Sequence, residues 1–180
     1  MNAWLVILIS VFFMSAPSTA AEGEHVPPRS AIYADLGFFN EALENGGMGL
    51  GVGLEHSFAD HFGFRVRHGI IQRDLGTQVV SHTVTIFSFS YYPMSKGLEG
   101  FNVALGMGYS NTQIVRDPSP FYQKIFPFVD IYVGYKMVFW GRLLIEPYLN
   151  WLAVTKNTDL SNTGIHQIVD IFGLTLGVAF

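Results

Sequence analysis

The stretch Phe101-Asn102-Val103-Ala104-Leu105-Gly106-Met107-Gly108-Tyr109-Ser110 puts a large apolar side chain at every odd position and a small or polar one at every even position. A period of two belongs to a β-strand whose two faces meet different surroundings. The same alternation recurs along the chain. Ile32, Ala34, Leu36 and Phe38 oppose Tyr33, Asp35, Gly37 and Phe39; Leu50, Val52 and Leu54 oppose Gly49, Gly51, Gly53, Glu55 and Ser57. Phe62, Phe64 and Val66 oppose Gly63, Arg65 and Arg67, and Val129, Ile131, Val133, Tyr135 and Met137 oppose Asp130, Tyr132, Gly134 and Lys136. Leu143, Ile145, Leu149 and Trp151 oppose Leu144, Glu146, Tyr148 and Asn150. The chain closes with Phe172, Leu174, Leu176, Val178 and Phe180 against Gly173, Thr175, Gly177 and Ala179. Between Ser81 and Tyr92 the parity changes, from Val84 and Ile86 to Phe87, Phe89 and Tyr91, so a bulge near Ile86 is expected. Eight strands result, an even number that closes antiparallel with both ends on one side.

The composition fits that reading and excludes others. Of 180 residues 49% are hydrophobic and 13% charged, with no cysteine and a formal charge of −4; mean hydropathy is +0.32. A soluble domain carries about 25% charged residues. A disulfide scaffold, a zinc finger and a nucleic-acid binder, which needs a basic excess, are all disfavoured. Trp4 to Met14 is apolar and is followed by Ser18, Thr19, Ala20 and Ala21, the pattern of a secretory signal peptide over 1–20. Residues 21–29, with the pair Pro27-Pro28, are expected to form a short leader and 30–180 the barrel.

Connections alternate in length. Ala59-Asp60-His61, Pro93 to Gly100 and Phe139-Trp140-Gly141 are short, whereas Glu41 to Gly47, Arg73 to Val80, Asn111 to Lys124 and Thr155 to His166 are longer and more polar. In membrane barrels short turns face the periplasm and long loops the exterior. Phe58, Phe62, Tyr91, Tyr92, Phe101, Phe139, Trp140 and Phe180 gather at the short-turn end, as an interfacial girdle would. The competitor is a soluble ligand-binding barrel, which turns its apolar face inward. It needs a Lys/Glu-rich exterior, and here the non-apolar face holds Gly, Ala, Ser and Asn with few charges. An all-β, eight-stranded antiparallel transmembrane barrel is the expected fold.

Over 30–180 the chain resembles the small outer-membrane barrels of Gram-negative bacteria, the OmpA transmembrane-domain and OmpX-like group. The alternating end Phe172, Leu174, Leu176, Val178 and Phe180 is similar to the C-terminal signal read by the barrel-assembly machinery. The resemblance implies an outer-membrane location with both termini periplasmic, and lipid and lipopolysaccharide as surroundings. No segment matches a peptidoglycan-binding domain.

Facing assigns Asp35, Glu55, Arg65, Arg67, Asp130, Lys136 and Glu146 to the lumen. Buried charges need partners, so they are expected to pair across the barrel with hydrogen bonds from Tyr33, Asn102, Tyr132, Tyr148 and Asn150. Eight strands leave room only for side chains, which favours a plugged lumen over a narrow pore or an OmpW-like conduit for small molecules. A lipid A-modifying hydrolase or transferase is a further alternative. Glu55-His56-Ser57 holds acid, base and nucleophile, but consecutive strand residues face opposite sides. The His-x-Ser-Asn motif of the lipid A deacylase barrels is also missing, the comparable region being Tyr148-Leu149-Asn150-Trp151. His56, His61, His68 and His82 lack metal-ligand spacing, and Gly47 to Gly53 is no nucleotide loop because no helix follows, so no metal or cofactor is expected. The segments 111–124 and 155–165 are the expected contact points for an extracellular ligand.

Overall fold

A computed structural model describes residues 27–38, 47–74, 76, 78–95, 97–116, 122–154 and 170–180. The expected signal peptide and the 155–165 segment lie outside the described residues. Eight strands follow one another: β1 (Ser30–Asp35), β2 (Gly47–Ala59), β3 (Phe62–Asp74), β4 (Gln78–Tyr91), β5 (Gly100–Arg116), β6 (Tyr122–Phe139), β7 (Leu143–Val154) and β8 (Asp170–Ala179). Each pairs antiparallel with its chain neighbour, and β1 pairs with β8, which closes the barrel and leaves no sheet edge along the closed wall. Closure is local chemistry at the seam: Phe180 N donates to Ser30 O and Ser30 N to Phe180 O, each at 2.8 Å.

The two faces are inverted relative to a soluble protein. Leu105, Phe89 and Met107 are 62%, 64% and 70% exposed on the outside, while Arg65 and Glu146 are 0% exposed inside. A hydrocarbon surrounding stabilises that arrangement, since the outward band is apolar and the closed ladder pairs each strand with both of its neighbours. The fold is an eight-stranded antiparallel transmembrane barrel. Phe172, Leu174, Leu176, Val178 and Phe180 all lie on the outer face.

Five expectations about facing and length are corrected. β4 pairs without interruption to both neighbours, with no bulge near Ile86. Val84 and Ile86 therefore point inward and Thr83 and Thr85 outward, where Thr85 Oγ1 meets His68 Nδ1 at 2.9 Å. Phe38 does not continue the outward face of β1, because the strand stops at Asp35 and the chain turns, delivering the ring into the lumen. Tyr92 follows β4 on the inward parity and is fully buried, so it belongs to the lumen and not to the girdle. Asn111 to Lys124 is mostly strand: pairing continues from Asn111↔Ile125 to Ile114↔Tyr122. β3 likewise runs to Asp74 and β4 begins at Gln78, which shortens the Arg73 to Val80 connection.

Inward aromatic rings lie over glycines of the wall. The Tyr33 ring covers Gly53, the Tyr148 ring covers Gly173, and the Phe38 ring covers Gly51 and Gly69, while Gly177 lies against the Cα and Cβ of Tyr33. A methyl added at Gly69 would sit 2.7 Å from Phe38 Cδ1. Strand glycines here are the sockets that let large rings into a narrow lumen.

Candidate functional site in the lumen

The turn Asp60-His61 returns the chain so that Glu55 pairs directly across from Arg65 on β3. Arg65 Nε donates to Glu55 Oε2 at 2.9 Å, and its Nη2 reaches Glu146 Oε1 at 3.2 Å and Asn102 Oδ1 at 3.1 Å. Lys136 Nζ lies 2.5 Å from Glu55 Oε2 and 3.8 Å from Glu146 Oε2. Asn102 Nδ2 donates to Glu146 Oε1 at 2.9 Å. Toward the long-loop end, Arg67 Nη2 donates to Asp130 Oδ1 at 2.9 Å and to Asn150 Oδ1 at 3.1 Å, with Nη1 3.6 Å from Asp35 Oδ2. Asn150 Nδ2 also donates to Asp130, and the Tyr148 hydroxyl donates to Asp35. The structure thus brings all seven lumen charges into two linked clusters, one around Arg65 and one around Arg67.

The rings join these clusters. Tyr132 stacks on Tyr148 with centroids 4.7 Å apart, and the guanidinium carbons of Arg65 and Arg67 lie 4.1 and 4.7 Å from the Tyr132 centroid. Desolvated cation–π contacts of this kind contribute about 2 kcal/mol each. Tyr132 acts through its ring face: its hydroxyl, like that of Tyr33, makes no hydrogen bond among the described residues, contrary to expectation. Loss of the hydroxyl should follow the same division. Tyr148→Phe is expected to cost about 1.5–3 kcal/mol, as for a hydrogen bond to a charged group, and Tyr33→Phe and Tyr132→Phe less than about 1. Urea unfolding in lipid vesicles measures all three, and equal losses would contradict the division.

Ser88, Tyr92 and Thr175 join the network although the sequence reading did not select them. Ser88 Oγ donates to Asp130 Oδ2 at 2.9 Å, the Tyr92 hydroxyl donates to Glu55 Oε1 at 2.5 Å, and Thr175 Oγ1 to Glu146 Oε2 at 3.4 Å. Ser88 and Tyr92 share the parity opposite Phe87, Phe89 and Tyr91, and that alternation is the signal that places two of them inside.

Two apolar layers bracket the charges. At the long-loop end Phe38, Ile71, Val84, Ile86, Phe128 and Leu152 pack together, and at the short-turn end Ala31, Tyr92, Leu98, Leu144 and Ala179 do so. The tripeptide Glu55-His56-Ser57 is split by the pleat. Glu55 and Ser57 are buried inside, while His56 is exposed outside with Nδ1 2.9 Å from Ser30 Oγ.

No family model and no curated protein sequence matches the chain. Among solved structures, the chain is similar to the crystal structure of the N-terminal β-barrel domain of Pseudomonas aeruginosa OprF, at 13% identity and a TM-score of 0.48, over 86% of this chain and 98% of that one.

Proposed function

We propose that this protein is a structural barrel of a Gram-negative outer membrane, with both termini periplasmic, a lumen closed by its own side chains, and surface contacts made by its long-loop end. The observation that carries the proposal is the layering of the lumen. Arg65, Arg67, Lys136 and their four carboxylates are at most 3% exposed between two apolar layers. A water-filled path would leave part of that network wetted.

Planar-bilayer recordings of the purified protein test it: no stable conductance is expected, and a sustained ohmic pore would overturn the closed lumen. The same proposal has no catalytic part, because His56 and Ser57 face opposite sides of the wall. Lipid A from cells with and without the protein is expected to give identical mass spectra; loss or gain of one acyl chain would show a lipid A-modifying enzyme instead. Contact with lipopolysaccharide or an extracellular ligand through 111–124 and 155–165 is part of the proposal, and deletion of 115–122 is expected to weaken surface binding.

A further inference from the structure

The connection from β4 to β5 does more than join two strands. Its Met94 is 87% exposed, whereas Leu98, four residues on, is fully buried in the short-turn mouth of the lumen against Tyr92 and Leu144. Two glycines with left-handed backbone bracket that insertion, Gly97 at φ 68° and Gly100 at φ 80°, a conformation that side chains rarely tolerate. Immediately behind Leu98 lies the base of the charged layer, where Tyr92 Oη, Glu55 and Lys136 Nζ contact one another at 2.5–2.8 Å.

What holds Leu98 in place is not the barrel ladder. Gly97 N donates to Asp60 O at 2.8 Å and Leu98 N to Pro28 O at 3.1 Å. His61 Nδ1 lies 2.8 Å from Tyr92 O and 3.0 Å from Ser95 O; both are acceptors, so this nitrogen carries the hydrogen. Pro28 belongs to the segment that precedes β1, and that segment is itself fastened. Ser57 N donates to Arg29 O at 2.7 Å, Arg29 N to Phe180 O at 3.2 Å, and Arg29 Nη2 pairs with Asp60 Oδ1 at 3.1 Å. At Gly97 an added methyl would lie 2.9 Å from Pro28 O and 3.0 Å from Pro27 Cβ, so strap and connection are in direct contact.

We infer that the segment 97–99, which carries Leu98, is a lid over the short-turn mouth of the lumen, latched by the strap 27–29, and that its release exposes the Glu55–Lys136–Tyr92 cluster to that side. The lid can open without breaking a strand pair, since the bonds that hold it run to a turn and to the strap. Fastening to a turn and a strap, outside the barrel ladder, places this opening below the global stability of the barrel. The inference needs only the barrel: a closed upper layer leaves a lid over a blind vestibule, and a conducting lumen leaves a lid over a channel.

The chain has no cysteine, so a single introduced thiol reports on the lid. In the full chain refolded into liposomes, Leu98→Cys is expected to react with a hydrophilic thiol reagent at least about tenfold more slowly than Met94→Cys. Removing residues 27–29 is expected to raise the Leu98→Cys rate about tenfold while leaving Met94→Cys unchanged. Arg29→Ala, which keeps the chain length, is expected to give a smaller rise and replaces the deletion should that fail to fold. With Leu98 intact, hydrogen exchange at the Gly97 and Leu98 amides is expected to accelerate with the strap variants, and exchange in β3 not to. Equal reactivity of Leu98→Cys and Met94→Cys with the strap present would overturn the lid. Strap variants that change neither the Leu98→Cys rate nor the exchange would overturn the latch.

Discussion

Arg67→Met is expected to destabilise the barrel by about 3–5 kcal/mol, and by more than Arg65→Met, although both remove a fully buried guanidinium. The difference lies in what each leaves behind. Without Arg65, Glu55 and Glu146 still share Lys136, at 2.5 and 3.8 Å. Without Arg67, Asp130 and Asp35 lose the cation that bridges them, at 2.9 and 3.6 Å, and among the described residues no second cation pairs with either. Two buried carboxylates then keep, among the described residues, hydrogen bonds from Ser88, Asn150, Tyr148 and the Gly37 amide. Most of the cost is therefore the penalty of stranded anions. Adding Asp35→Asn and Asp130→Asn to Arg67→Met is expected to recover the greater part of the loss, as replacing a buried ion cluster by neutral groups is often tolerated. Urea unfolding in lipid vesicles, followed by tryptophan fluorescence, measures the series. A larger loss for Arg65→Met, or no recovery in the triple variant, would refute this division of the network.

The inward facing of Arg67 and its partners is legible in the sequence because parity within an unbroken strand admits one answer. Glu55 opposite Arg65 was within reach too, given the short turn at Asp60-His61. Parity fails where a strand ends, as at Phe38: three residues past Asp35 the backbone is no longer pleated. It fails differently at Val84 and Ile86. Hydropathy marks the lipid face only where the lumen is polar, and at the long-loop end the lumen is filled with apolar side chains, so an apolar residue there can face either way. A continuous β4 looks irregular in sequence for that reason. Partners on distant strands, such as Arg65 with Glu146 or Arg67 with Asp130, depend on the curvature of the closed wall, and no local spacing encodes them. Residue type suggests a hydrogen-bond donor at Tyr33 and Tyr132, whereas closure of the barrel turns both into ring-face packing.

That packing gives Gly53 a consequence out of proportion to its size. Gly53→Val is expected to destabilise the barrel by on the order of 3 kcal/mol, the upper end for overpacking, and Gly69→Val by only about 1. Both positions face inward, and both lie beneath an aromatic ring. A methyl at Gly53 would overlap the Tyr33 ring, whose hydroxyl oxygen is itself only 2.6 Å away. Tyr33 is held in β1 between β2 and β8, and Gly177 on β8 lies against its Cα and Cβ, so the paired backbone cannot shift to carry the ring away from Gly53. Phe38 covers Gly69 from a turn beyond the end of β1, outside the paired strand, and a methyl at Gly69 would lie 2.7 Å from its ring where one at Gly53 overlaps that of Tyr33. The remedy should be equally specific: Tyr33→Ala is expected to rescue Gly53→Val in part and to do nothing for Gly69→Val. Unfolding of the four variants in vesicles decides the matter. Equal costs at the two glycines, or rescue of both by Tyr33→Ala, would mean that general strand propensity sets the penalty and not the ring over each glycine.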